Sequence, residues 1–500
     1  MSSEPGAYRF GPLEQRGFLA GLRLGQVLVL AGGAAAVLGL VARVRSLEAV
    51  VPAAFVCGLT LAAAFTRPGS RSPDRWLLLA TRHLWRRLGR RSQLVSAAPL
   101  LGHTLRGGPP VAVPDTLRGV SLLSVGGSAG LPPEVPPGIG MLKDSRAGTY
   151  TGVLRVMGTA FALLGPGDQA RLVEAWADIL GGFGRDRSPV RRVQWLERTL
   201  PETGEEAARY LGESMRLPFS DEAVRAYLGL IEENRLAARQ HDAFVAVQID
   251  RAGGRLSSGR AGDPDVGAYV ALARELEALA GQLQAADLQV EGALPPRALA
   301  QVIRLTFDPA AATGLALRAA SGGEPGVHPA SAWPLVTATA WSRYRVESAW
   351  HAVYWVREWP RAAVGADFMA PLLLQTHAVR TVSMVMEPIP PLRARREVEA
   401  ARVADASDEQ VRQRAGFVSS VRRRREQEQV VARERELADG HGDLRFSAYI
   451  LVTGSSTEEL DAACAEVEQQ AGLARLELCR LDGDHDVAFT YCLPLGRGLR

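Results

Sequence analysis

Lysine is all but missing from this 500-residue chain: of 58 basic residues only Lys143 is not arginine. That absence excludes the common nucleotide motor. A P-loop needs G-x-x-x-x-G-K-[ST], so that backbone N–H groups and the lysine cradle the phosphates. Lys143 instead follows Gly138-Ile139-Gly140-Met141-Leu142 and precedes Asp144, so the glycine spacing and the hydroxyl both fail. Cysteine is scarce too. Cys57, Cys464, Cys479 and Cys492 show no C-x-x-C spacing, which points away from a zinc ribbon or redox pair and toward buried free thiols in a reducing compartment. The eight histidines form no H-E-x-x-H. No spacing of carboxylates singles out an acid/base pair. The expectation is therefore a chain without a catalytic centre, metal site or cofactor. A net charge of +4 is small for this length, so a pI near 9.0 does not by itself imply nucleic acid. The arginine, alanine and glycine bias suits a GC-rich bacterial source such as an actinobacterium.

What the chain does have is two long apolar runs near its start, Leu24 to Ala42 and Leu47 to Phe65. Each approaches the ~20 residues that cross a bilayer as a helix. They predict a two-helix transmembrane hairpin over 24–66, after a 1–23 segment. Small residues recur at helical spacing within it: Gly32 with Ala36, Ala35 with Gly39, Ala54 with Gly58. Arg9, Arg16 and Arg23 precede the hairpin, and arginines crowd the stretch from Arg67 to Arg91. By the positive-inside rule both ends belong in the cytoplasm. The expected localisation is thus a multi-pass protein of the bacterial inner membrane, with cytoplasmic N- and C-termini. Residues 67–111 read as a basic juxtamembrane region. Asp74 to Gln93 predicts an amphipathic helix, with Leu77, Leu78, Thr81, Leu84, Trp85 and Leu88 on one face. Arg75, Trp76, Arg82, Trp85, Arg86 and Arg90 are its candidate contacts with lipid headgroups.

The remainder reads as an α+β region. Residues 112–313 alternate strands and helices. Strands are expected at Gly119–Val125, twice within Ile139–Leu164, at Arg191–Thr199 and at Asp242–Asp250. Helices are expected from Asp168, which would cap the first, and at Glu205–Met215, Asp221–Ala238, Asp265–Leu288 and Pro295–Phe307. Gly126-Gly127-Ser128-Ala129-Gly130 matches G-x-S-x-G, but the prolines after it cannot form the helix of a nucleophile elbow, so it reads as a glycine turn. Residues 314–391 begin with a Gly/Ala/Ser-rich linker over Gly314–Pro334. They continue into aromatic-rich strands, where tryptophans and tyrosines interleave with arginines from Trp333 to Trp359. Such a pattern can bind single-stranded nucleic acid. However, Trp350–Val356 reads as a strand whose side chains enter a core. Residues 392–440 are charged helices, and Arg422-Arg423-Arg424-Arg425 is the candidate partner surface. Residues 441–500 close the chain as a ferredoxin-like β-α-β-β unit. Its strands are expected at Phe446–Val452, Leu473–Leu481 and Asp486–Leu493, with a helix opened by the capping box Ser456-Thr457-Glu458-Glu459. Asp482-Gly483-Asp484-His485 reads as a hairpin turn.

The order of these parts resembles a known family. The opening Tyr8-Arg9-Phe10-Gly11-Pro12-Leu13-Glu14 and the apolar runs after it resemble the PrgI-like small membrane subunit of conjugation and type IV secretion machines. Thr149–Leu154, Arg192–Glu197, Tyr354–Pro360, Ser456–Leu460 and Leu493-Pro494-Leu495-Gly496 resemble the non-catalytic N-terminal region of the large conjugation ATPase, of the TraC/TrbE type. The resemblance implies a fusion of the two: an inner-membrane scaffold that docks a separate motor ATPase. Its expected partners are the lipid bilayer, that ATPase and other membrane subunits, with self-association and direct nucleic-acid binding left open. A membrane-tethered regulatory or sensor protein unrelated to transport is the alternative.

Overall fold

The computed structural model describes residues 8, 10, 24–44, 50–65, 73–89, 92–96, 113–124, 138–158, 161–185, 188–202, 214, 216, 218, 220–235, 239–251, 264–414, 421–438 and 441–499. The two apolar runs are helices, α1 (Leu24–Val44) and α2 (Val50–Phe65), packed on each other. Among the described residues, no helix is long and apolar enough to cross a membrane. At 16 residues, α2 rises only about 24 Å, short of the ~30 Å hydrocarbon core. This overturns the transmembrane hairpin, and with it the integral-membrane character and the multi-pass inner-membrane placement. The small-residue pairs differ as well. Gly32, Gly39 and Gly58 face open space, and the close approach falls instead at Gly33 against the Thr60 side chain.

After α3 (Pro73–Leu88) comes a short strand, β1 (Gln93–Val95). The chain then builds the same topology twice. The first pass is β2 (Val120–Ser124), β3 (Gly140–Asp144), β4 (Thr149–Met157), α4 (Pro166–Phe183), β5 (Val190–Pro201), α5 (Glu222–Arg235), β6 (Arg239–Asp250), α6 (Pro264–Ala285) and β7 (Gln289–Ala293). Two helices follow, α7 (Pro296–Phe307) and α8 (Ala311–Ala320). The second pass is β8 (Val336–Thr339), β9 (Tyr344–Val346), β10 (Ala349–Glu358), α9 (Ala370–Leu374), β11 (Val379–Ile389), α10 (Pro391–Arg414), α11 (Val421–Ala438), β12 (Asp443–Gly454), α12 (Thr457–Leu473) and β13 (Glu477–Arg480). A short helix, α13 (His485–Phe489), and an extended arm complete the chain.

In both passes the third core strand inserts between the first and second, and the fourth pairs the first. The orders are β7-β4-β6-β5 and β13-β10-β12-β11, all antiparallel. Each is a complete split β-α-β-β-α-β unit. The copies meet where β5 pairs β11, giving one 13-stranded sheet. The expected ferredoxin-like unit over 441–500 is thereby corrected. Residues from β12 to β13 are the second half of a module that begins at β10. Asp486–Leu493 is helical rather than a strand. The Gly/Ala-rich stretch expected as linker also differs, because α8 occupies its start. The helix expected at Glu205–Met215 and the glycine turn at 126–130 lie outside the described residues.

Period-two alternation sets the layers. Tyr150, Leu154, Val193, Val245 and Val247 point to one face, under α4 and α6. Gly152 on that face lets α6 approach: a Cβ there would stand 2.6 Å from Leu276 Cδ1. Ala352, Tyr354, Val382 and Ile450 point the same way in the second module, under α9 and α12. Trp195 and its register partner Met384 touch both of these cores. On the opposite face Val153, Leu196, Phe244, Val353 and Leu451 share one core with α7 and α13, closed by Phe307 stacked on Phe489 at 4.8 Å. The result is three layers: module helices, sheet, then α7, α13 and the arm. α4 starts at Pro166 with Gly165 as N-cap, and Asp168 lies in its first turn rather than capping it.

Candidate functional site

The basic helix packs on protein. Trp76, Leu79 and His83 share a face by their spacing, and Trp76 and His83 meet the Trp341 ring edge-on at 5.8 and 5.5 Å. Leu79 is buried, whereas Leu84 and Trp85 are exposed. The buried face is thus not the one that apolar periodicity marks. Arg82 reaches Asp484 at 3.6 Å. The side chains of Arg75, Arg86 and Arg90 lie outside the described residues, as do those of Arg422, Arg423, Arg424 and Arg425 at the head of α11. The acidic turn is built into the core. His485 is buried, its Nδ1 accepts from the Val353 N–H at 3.1 Å, and its Nε2 therefore donates to Asp482 at 3.3 Å. Among the described residues no three His, Cys, Asp or Glu side chains converge as metal ligands.

The buried charges form two clusters at one end of the central strands. On the helix side, Arg380 is 1% exposed and is bonded to Glu197 and to the Leu373 carbonyl. Glu197 also meets His241 Nδ1 at 2.7 Å. On the other side, Asp242 takes Arg198 at 2.7 Å and Arg155 at 2.6 Å. Burial pushes the Asp242 carboxyl up, but the Arg198 and Arg155 guanidiniums outweigh it and hold it below the usual carboxylate range. Arg198 further donates to the Val302 carbonyl at 2.9 Å. Each of these arginines is thus committed to a carboxylate, and Arg380 and Arg198 also bond to a backbone carbonyl, the arrangement of buried structural pairs.

Among the described residues an open cleft of about 470 Å³ lies on the α13 side. Arg82, Arg118, Arg146 and Arg497 line it, with Asp115, Thr116, Val487, Thr490 and Tyr491. Four separate segments therefore build it: α3, the turn before β2, the β3–β4 turn, and α13 with the arm. Asp144 organises the last two. Its Oδ1 accepts the Arg146 and Ala147 N–H groups at 3.1 Å each, and its Oδ2 accepts Arg497 at 2.5 and 3.1 Å. The arm itself lies on a polar cradle. Gln194 donates to the Tyr491 and Leu493 carbonyls at 2.9 and 3.0 Å and accepts the Gly496 N–H at 2.8 Å. Gln248 donates to the Leu495 carbonyl at 2.6 Å. Tyr449 donates to the Gly498 carbonyl. Sequence reading passes over Arg118, Arg146 and Arg497, which are far apart in the chain. The signal that was there is a buried-polar one: Gln194 stands between Val193 and Trp195, and Gln248 between Val247 and Ile249, in the central strands. No family model matches the chain, and no curated protein matches it either.

Proposed function

We propose that the protein is a non-catalytic scaffold of a type IV secretion- or conjugation-like apparatus, which docks a separate motor ATPase. The observation that carries this reading is the paired platform with helical insertions at matching points. Both modules interrupt the hairpin between their second and third strands, the first with α5 and the second with α10 and α11. α10 and α11 pack chiefly on each other, tied by Arg402 to Glu434 at 2.7 Å. Their base is fixed to the sheet by Arg433 with Asp443 at 2.5 Å. At about 1.5 Å per residue, the 24 residues of α10 make an arm of about 36 Å. A rigid sheet carrying a long charged arm supports a role in holding a partner. The stretches that resemble the conjugation ATPase's non-catalytic region fall on β4, β5, β10, the start of α12 and the C-terminal arm, so the likeness follows both modules.

Co-purification with any motor ATPase encoded in the same gene cluster tests the reading. The full chain should retain the ATPase. A variant with 405–430 replaced by a short Gly-Ser turn keeps the Arg402–Glu434 pair and should bind at least about tenfold more weakly, a loss of about 1.4 kcal/mol. Failure of the full chain to retain any such ATPase would remove the proposal.

A further inference from the structure

We propose that the arginine-lined cleft binds a compact phosphate-bearing anion through Arg118 and Arg146. This site is separate from the helical arm and does not depend on the scaffold reading. Four arginines line the cleft, and two of them are already matched. Arg497 is bonded twice to buried Asp144 and once to the Thr116 carbonyl, and Arg82 stands beside Asp484. The other two are available. Arg118 lies 3.7 Å from Asp115 with both side chains more than half exposed, a geometry in which an ion pair is worth little. Arg146 is exposed and forms no ion pair among the described residues.

The fold presets where Arg146 lies. Its backbone is held in the β3–β4 turn by Asp144, and its side chain runs over Gly119. A Cβ at Gly119 would stand 3.1 Å from Arg146 Cγ, at a φ of +91 that favours glycine. Gly119 directly follows Arg118, so Arg146 is held against that same turn, and the two arginines line the cleft as planar forks suited to phosphate oxygens. Asp115 lines the cleft and would repel a continuous phosphodiester. Tyr491 is the one aromatic ring among the lining residues, so there is no run of stacking faces for bases. Charge that is concentrated on one small group fits this pattern better than a strand does.

Isothermal titration of the full chain with inorganic pyrophosphate at low, constant ionic strength tests the assignment. The expected result is one site per chain with a Kd at or below about 1 mM, weakened at least about tenfold in Arg118→Ala/Arg146→Ala. Arg171→Ala, which removes an exposed arginine paired with Asp287 elsewhere, should leave the affinity unchanged. Both substitutions lie on the surface, and thermal unfolding of each variant checks that it folds. Absence of binding at about 10 mM, well above that Kd, or equal affinity in the double variant, would overturn the proposal. So would a thymidine oligonucleotide that displaces pyrophosphate and binds tighter, because the cleft would then serve a strand.

Discussion

His351 shows how a single buried group ties stability to pH. Its Nε2 faces the Phe307 carbonyl at 3.0 Å, which can only accept, so that nitrogen carries the proton. Nδ1 is then the acceptor for the Thr453 hydroxyl at 3.0 Å. Burial disfavours the imidazolium and, against the opposing pull of the Phe307 carbonyl, pushes the pKa down to about 4. The unfolded chain takes up this proton near pH 6.5, whereas the folded one does not until about 4. Between those values the unfolded state binds more protons, so stability is complete above pH 6.5 and is lost as pH falls. The shift corresponds to about 3 kcal/mol. Urea unfolding of the parent chain and of His351→Gln, at pH 7 and pH 4, should show the parent losing about that much more than the variant. Parallel losses would mean His351 does not titrate in this way.

At the scale of elements, close backbone approach is the sharpest constraint. Gly454 ends β12, and a Cβ there would stand 2.5 Å from the Leu460 amide nitrogen and 2.8 Å from its Cα. Those are backbone atoms of α12, which can give way only if the helix leaves the sheet. Gly454→Ala should therefore cost about 1–3 kcal/mol or more, as overpacking does. Gly472 in the same helix meets nothing within 4 Å, so Gly472→Ala should instead stabilise by up to about 1 kcal/mol. Urea midpoints of the two variants should move in opposite directions, and a neutral Gly454→Ala would show that the turn adjusts. The start of α12 was legible from its polar residues: the Ser456 hydroxyl accepts the Glu459 N–H at 3.1 Å, and Glu459 returns a bond to the Ser455 N–H. Strands β3 to β6 and β10 were legible from alternation and turn residues. Asp486–Leu493 was not. Its Val, Phe, Tyr and Cys read as a strand, but the segment instead turns under the sheet, where the His485 ring accepts the Val353 N–H and Phe489 stacks on Phe307. That is a tertiary contact invisible in local pattern. α8 was missed because its glycine and short residues suggested a loop, while its alanines favour a helix.

At the scale of the molecule the hidden feature is duplication. The first strands of the modules, Thr149–Met157 and Ala349–Glu358, share a place in the topology but few side chains, so no repeat shows in the residues. The segment boundaries drawn from composition at 313/314 and 440/441 fall between pieces of one sheet, because β12 inserts between β10 and β11 and β5 pairs β11. The arm adds a second tie. Leaving the second module, it is held by Gln194 of β5 and Gln248 of β6, and its Arg497 is bonded to Asp144 of β3. Separating the modules would break the β5–β11 ladder, part Trp195 from Met384, and strip the arm from its cradle at once. Calorimetry should therefore show one transition for both modules, with calorimetric and van't Hoff enthalpies in agreement. Gln194→Leu leaves the buried Gly496 N–H without its acceptor, at a cost of about 1–3 kcal/mol, while the Tyr491 and Leu493 carbonyls keep the Ser383 hydroxyl and the Leu495 N–H. It should lower that single transition without splitting it, because the strand seam still joins the halves. Two resolved transitions in the parent chain would show that the seam does not couple them. Two in Gln194→Leu alone would place the coupling in the arm and not in the sheet.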